Sequence, residues 1–345
     1  MLLIDPKDGV FLKTEQLSGK EGNEMEEKFD VVALGELLVD FTDNGRSPQG
    51  NVLFEANPGG APCNVLSMLQ RLGHKTAFIG KIGKDLLGEM LRTKAELAGI
   101  CMDGLVVDEE VRTTLAFVQN QEDGDRSFSF YRNPGADMML RKEEIREELL
   151  RSTRIFHFGT LSMTHENVEN ATKYAVHVAK ESGALISFDP NLRELLWDSP
   201  ERARDKMEFG MHVCDILKIA DNEVEFLTGE KDVLKGARRL VCEYQVPLLL
   251  LTLGKEGSVA FYKGEEVQAD AFLQKTTVDT TGAGDTFCGC VLHYVLENGL
   301  EELTNEKLGE VLRFANAAAS VITTRKGALS VMPAVQEIEK VLRTE

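Results

Sequence analysis

The chain has 345 residues, 43% of them hydrophobic, and carries a formal net charge of −18 at pH 7. That length allows a large buried core in one large or two modest domains. The acidic balance excludes a sequence-independent nucleic-acid binder and docking on an anionic membrane, but not a small polyanion held by local amides and a metal ion.

Residues 1–28 are polar and mixed, and are expected to be a weakly ordered leader before a folded unit over residues 29–345. Residues 29–35 predict a buried strand. Residues 61–72 predict a helix, with Pro62 in its first turn and Val65, Leu69 and Leu72 on one face. Further strands are predicted at 75–79, 154–158, 184–188, 215–219 and 247–251, most of them preceded by helical patterns. The run Leu248-Leu249-Leu250-Leu251 has no polar alternation, as in a strand covered on both faces. Strands alternating with helices over most of the chain predict an α/β fold with a mainly parallel sheet. Two stretches, 41–57 and 105–132, break this rhythm with short β-like runs, the second turning at Glu122-Asp123-Gly124-Asp125. They predict a small β lid made from two insertions.

No apolar run approaches the ~20 residues of a membrane span. The first residues lack the basic-then-apolar order of a secretory signal. Cys63, Cys101, Cys214, Cys242, Cys288 and Cys290 are scattered without C-x-x-C pairs, so all six are expected to be buried, reduced thiols of a cytoplasmic protein.

The most informative segment is Asp279-Thr280-Thr281-Gly282-Ala283-Gly284-Asp285-Thr286-Phe287, between a β-like stretch and an apolar helical run. Its glycines let the backbone turn closely around a ligand, and the free amides of the following helix form an anion site. Asp285 would stand beside a bound phosphate as a proton acceptor for an attacking hydroxyl. The same residues would serve equally as a tight turn with Asp285 as helix cap. Pro58-Gly59-Gly60-Ala61-Pro62-Cys63-Asn64 places two glycines and an amide at a helix entrance. Asp40 is expected at the end of the first strand, where ligands of open α/β sheets gather. Asp40 and Asn64 together would hold the hydroxyls of a polyol, and each alone reads as a turn or cap.

Gly59-Gly60-Ala61-Pro62-Cys63-Asn64 and Asp279-Thr280-Thr281-Gly282-Ala283-Gly284-Asp285 resemble the two defining motifs of the ribokinase-like (PfkB) sugar kinases, in the same order and over residues 29–333. The resemblance implies a doubly wound α/β core, a β lid over the sugar, and transfer from Mg-ATP to a sugar hydroxyl. Asp285 then corresponds to the catalytic base, and Gly282, Ala283 and Gly284 to the anion hole. Asn222-Glu223-Val224-Glu225 resembles the element that organises magnesium-bound water, with Asn222 at the nucleotide and Glu225 at the Mg²⁺; the pair also reads as a helix cap. Thr252, Gly254 and Gly257 match the nucleotide loop, and Asn316 a position near the adenine. Arg325-Lys326-Gly327-Ala328 with Asp279 and Thr281 resembles a loop that binds a monovalent cation such as K⁺ in some members.

Phe128-Ser129-Phe130-Tyr131-Arg132-Asn133-Pro134-Gly135-Ala136-Asp137 and Asp189-Pro190-Asn191-Leu192-Arg193 are similar to segments of bacterial-type fructokinases. Arg132 would reach hydroxyls or phosphate and Phe117 and Phe130 would shield the site, or Arg132 is a surface cation and the phenylalanines are lid core. Arg193 reads as a ligand residue or an ion-pair partner. Cys63 departs from the alanine common in that group. The reading is ATP:D-fructose 6-phosphotransferase. The alternatives are a kinase of 2-keto-3-deoxygluconate or another ketose, and a non-catalytic sugar- or nucleotide-binding protein on the same scaffold. Many relatives pair through the lid, so a homodimer is expected, with no nucleic-acid or membrane partner.

Overall fold

Apolar strands with no polar side need cover on both faces, and the chain supplies it with helices between successive strands. The computed structural model describes residues 29–120 and 126–343; the leader at 1–28 and the turn at 122–125 lie outside them. The strands are β1 (Phe29–Leu34), β2 (Leu38–Arg46), β3 (Val52–Gly59), β4 (Thr76–Gly83), β5 (Cys101–Asp108), β6 (Leu115–Asn120), β7 (Arg126–Tyr131), β8 (Thr153–Gly159), β9 (Leu185–Asp189), β10 (Ile216–Ala220), β11 (Leu248–Thr252), β12 (Ser258–Tyr262) and β13 (Glu265–Ala269). Nine of them form the large sheet in the order β13-β12-β11-β10-β9-β8-β1-β4-β5. It is parallel from β11 to β5, and only β12 and β13 run antiparallel at one edge.

Two apolar clusters lie on opposite faces of this sheet. Val31, Ala33, Leu248 and Leu250 enter one, while Val32, Leu34, Leu249 and Leu251 enter the other, as the two-residue period requires. The first cluster packs under α1 (Ala61–Arg71), α2 (Leu86–Leu97) and the C-terminal helices. The second packs under α3 (Glu147–Arg151), α4 (Glu166–Glu181), α5 (Pro200–Val213), α6 (Asp221–Thr228) and α7 (Val233–Tyr244). The C-terminal helices are α8 (Ala283–Asn298), α9 (Asn305–Ile322) and α10 (Val335–Leu342). This is the doubly wound arrangement, and the strand order reverses between β1 and β8. Such a reversal opens a crevice at the carboxyl ends of the strands.

The small sheet runs β3-β2-β6-β7. Residues 105–108, expected in the second insertion, instead continue β5 and pair with β4 in the large sheet; the apolar Leu105-Val106-Val107 run suits a sheet strand of either kind. Of the six cysteines, all free, Cys242 is exposed and Cys101 half-buried, against the expectation of burial for all; the other four are buried. No helix of the described residues is long and apolar enough to cross a membrane.

Candidate active site

A cleft of about 600 Å³ opens where the ends of β1, β9, β10 and β11 meet the small sheet. Residues at the N-termini of α1, α6 and α8 all line this region, so its walls carry positive dipole ends.

Asp285 sits in the first turn of α8, not at its cap. Gly282 is the cap, at φ 79, and no side chain satisfies the helix end. The amides of Gly284 and Asp285 have no backbone partner and lie at the cleft wall. A Cβ on Gly282 would stand 2.5 Å from that of Ala328, so the left-handed turn and the neighbouring loop both demand glycine. Asp285 is buried and accepts a hydrogen bond from Asn64 Nδ2 at 2.7 Å. Burial lifts its carboxyl to about 6, helped by Asp189 and opposed by the Asn64 hydrogen bond, Lys218 and Arg193.

Asn64, on α1, lines the cleft beside the start of α8, and Asp40 lines it from β2 of the small sheet rather than from the end of the first strand. Asn64 Oδ1 is a buried acceptor with no protein partner, as expected of an atom reserved for a ligand hydroxyl. Gly59 lets the Asp40 carboxylate lie against the backbone, and Gly60 at φ 127 brings α1 up against Glu36. Asp40 titrates near 7 because of burial and of Asp279 and Asp285, with Arg193 opposing. The exposed Arg193 lines the cleft and bears on both Asp40 and Asp285.

Phe130 lines the cleft, but Phe117 does not. Strand pairing sets Asp40, Ala116 and Phe130 in one row and Phe41 and Phe117 in the next, and adjacent rows face opposite ways. Phe117 therefore stacks on Phe41 at 4.9 Å and meets Phe54 and Tyr131 on the far side of the small sheet. Arg132 is also withdrawn. Its guanidinium is buried against Asp137 (2.7 Å), Thr164 Oγ1 (2.8 Å) and the Leu161 carbonyl (3.0 Å), which leaves it neither a surface cation nor a ligand residue.

Asn222 lines the cleft, whereas Glu225 turns to Lys231. The helix cap lies at Ala220, two residues before the expected one, so Glu223 rather than Glu225 reaches back to the cap amide. Thr252, Gly254, Gly257 and Asn316 line the cleft as a group. Both ends of the Asn316 amide are already engaged, accepting from Ser258 Oγ (3.0 Å) and donating to the Ala269 and Asp270 carbonyls (both 3.1 Å). Its two N–H donors are spent on the protein, which leaves the second lone pair of Oδ1 as its one unused hydrogen-bonding position. Asp279 accepts from the Thr281 amide and hydroxyl and from the Gly327 amide, gathering Asp279, Thr281 and the 325–328 loop into one turn.

Residues 28–335 match the model of the pfkB family carbohydrate kinases. A probable fructokinase-2 of Arabidopsis thaliana is 43% identical over 305 residues, 88% of this chain and 92% of that protein. The chain belongs to the pfkB family of carbohydrate kinases. Among solved structures, a fructokinase with bound ATP from Xylella fastidiosa superposes with a TM-score of 0.83 at 29% identity, over 92% of this chain and 99% of that one. A fructokinase from Vibrio cholerae with fructose, ADP and calcium bound gives 0.81 at 28% identity, over 92% and 100%. The ribokinase-like fold and the phosphotransferase class follow for this kinase.

Three charged residues of this pfkB kinase's site, Lys218, Glu223 and Glu36, were given no role by reading motifs alone. Lys218 is buried at the cleft wall, 3.1 Å from Asp189 Oδ2, and its ammonium lies where a side chain on Gly284 would reach. Burial pulls against the charged form, but Asp189, Glu223 and Asp285 outweigh it and raise its pKa. Glu223 accepts from the Leu192 amide (2.7 Å) and the Ala220 amide (2.8 Å), and burial raises its carboxyl although Lys218 opposes. Glu36 holds the Ala61 amide at 2.9 Å, with burial lifting it to about 7. The signal for Lys218 was a lone cation in the otherwise apolar strand Ile216–Ala220.

Proposed function

We propose that this kinase transfers the γ-phosphoryl group of Mg-ATP to the 6-hydroxyl of D-fructose, with Asp285 as the base. The observation that carries the reading is the pairing of Asp285 with Asn64 beside the uncapped start of α8. In the transfer the bond from the γ-phosphorus to the bridging oxygen breaks, releasing ADP. A new bond forms to the fructose oxygen, and its proton passes to the Asp285 carboxylate. The Gly282, Ala283 and Gly284 backbone and the dipole of α8 stabilise the moving charge, and Arg193 adds a cation at the open side. Asp40 and the unpartnered Asn64 Oδ1 orient the sugar, and Phe130 closes the site from the small sheet, excluding water as competing acceptor.

Asp221 and Asn222, both exposed on the first turn of α6 at the cleft, offer oxygen donors that fit a hydrated Mg²⁺. When bound, that ion neutralises phosphate charge. Glu225 would join through water on release from Lys231. The turn around Asp279 and Thr281 is our candidate for a monovalent cation such as K⁺. The names of relatives support fructose: the Arabidopsis protein is called a probable fructokinase, and the Vibrio cholerae structure holds fructose and ADP.

We further propose a cytoplasmic homodimer through the small sheet, residues 29–345 forming one kinase domain with that sheet as lid. Exposed Val52, Leu53, Phe54 and Tyr131 on the small sheet support this pairing; light scattering of the wild type and of Phe54→Ser/Tyr131→Ser checks it. Coupled ADP release with fructose, ribose, tagatose, adenosine and 2-keto-3-deoxygluconate tests the substrate. Fructose is expected to give by far the highest kcat/KM, and a better acceptor among the others refutes the choice of sugar.

A further inference from the structure

At the opposite end of α1 and α8 from the cleft, three side chains meet that no part of the phosphotransfer uses. His74 follows α1 by a tight turn through Gly73 at φ 88, with its amide bonded to the Leu69 carbonyl at 3.1 Å. His293 and Glu297 lie one helical turn apart on α8. His74 Nε2 is 2.7 Å from His293 Nδ1. One ligand atom from each of His74, His293 and Glu297 lies within 4.8 Å of the others, the only such group among the described residues. His74 is buried, His293 half-buried and Glu297 exposed, so the cluster is walled by protein on one side and open to solvent on the other.

The orientation of His74 is set from behind. Asp30 Oδ2 faces its Nδ1 at 3.5 Å, and Asp30 is itself held by the Lys75 amide (3.0 Å) and Arg154 Nη1 (3.0 Å). A carboxylate there favours the tautomer with the proton on Nδ1, which turns the Nε2 lone pair toward His293. An imidazole backed by a carboxylate, a second imidazole and a carboxylate one turn along the same helix make a donor set suited to a borderline transition ion.

We propose that His74, His293 and Glu297 bind a divalent transition-metal ion of the Zn²⁺ type, with water in the fourth position and Asp30 as the positioning residue behind His74. The two ring nitrogens part from 2.7 Å to the roughly 3.3 Å that two ligands of a tetrahedral Zn²⁺ require, a rotation of the half-buried His293 ring. The ion ties the C-terminal ends of two helices whose N-terminal ends carry Asn64 and Asp285. His293 is eight residues beyond Asp285, about 12 Å along the helix, so the ion is a structural clamp and not a participant in transfer. This inference does not depend on the identity of the sugar.

The test is Zn²⁺ binding to metal-free, untagged protein, by competition with a chromophoric chelator, with Co²⁺ absorption reporting the geometry. One equivalent per chain is expected, with tetrahedral Co²⁺ bands and a rise of about 2 °C or more in Tm at saturation. Glu297→Gln, an exposed change that leaves the fold intact, and His293→Asn should each weaken binding at least about 10-fold, and Asp30→Asn about 10-fold through the second layer. Cys242→Ser, which removes the exposed thiol, should leave the affinity unchanged. No stoichiometric binding, or binding that survives both Glu297→Gln and His293→Asn, overturns the proposal; the two rings then form only a hydrogen-bonded pair.

Discussion

Replacing Asn64 by leucine would keep the side chain's approximate volume while removing the donor that faces Asp285 at 2.7 Å. A buried hydrogen bond to a carboxylate contributes about 1.5–3 kcal/mol. At about 1.4 kcal/mol per pKa unit, its loss should lift Asp285 by roughly 1–2 units. The starting value is about 6, already raised by burial. A base works when ionised, so turnover is lost as pH falls through this value. The acid limb of kcat/KM, which reports the free enzyme, should therefore move from about 6 in the wild type to about 7–8 in Asn64→Leu. At pH 7 the ionised fraction would drop from roughly nine-tenths to between a half and a tenth. The assay is kcat/KM against pH from ADP release at subsaturating substrate, a parameter that product release does not mask. Asp40 titrates in the same window, so the series is repeated with Asp40→Asn. A large fall in kcat/KM with an unmoved limb would refute the reasoning, since Asn64 would then only position the sugar.

Asp285→Asn should lower kcat by at least about 10²–10⁴-fold while fructose affinity, measured by calorimetry, changes little; near-normal turnover would remove the assigned role. Lys218→Met strands the carboxylates of Asp189 and Glu223, and breaking a buried pair of this kind should cost about 3–5 kcal/mol in urea unfolding. A loss below about 1 kcal/mol would mean that water reaches the pair. Gly282→Ala forces a side chain into φ 79 and against Ala328, so about 1–2 kcal/mol of stability should go, together with most turnover. Normal unfolding and normal kcat would show that the loop relaxes freely.

The parallel core was readable because its strands are apolar on both faces; Leu248–Thr252 shows this in four consecutive leucines. The loop glycines and Asp285 were readable because their backbone needs are local. Asp285 and Asn64 are 221 residues apart, and only the resemblance to a family placed them in one site before the fold was seen. The choice between Phe117 and Phe130 depended on strand register, which an alternating aromatic segment leaves two ways to settle. Arg132 and Asp137 are five residues apart and neither side chain shows in its local pattern that both are buried together. Glu223 and Glu225 exchanged places because the helix begins at Ala220, and caps are the least certain part of a helix.

An acidic chain that handles ATP has to keep its own carboxylates from repelling the phosphates, and the cleft does so residue by residue. Glu36 and Glu223 turn their oxygens onto backbone amides at the starts of α1 and α6, where the helix dipoles favour negative charge. Asp189 is matched by Lys218. Asp40 and Asp285 are different: burial raises both carboxyls, to about 7 and about 6, and Asp285 is thereby ready to take a proton. What attracts the incoming phosphates is the uncapped start of α8 and the Arg193 guanidinium, while the exposed Asp221 is left to face a cation. The net charge of −18 is therefore a property of the surface, while the transfer site presents donors. Lys218 follows from the same logic: with Asp189 and Asp285 so near the anion hole, a buried cation beneath Gly284 is needed for the loop to remain attractive to phosphate.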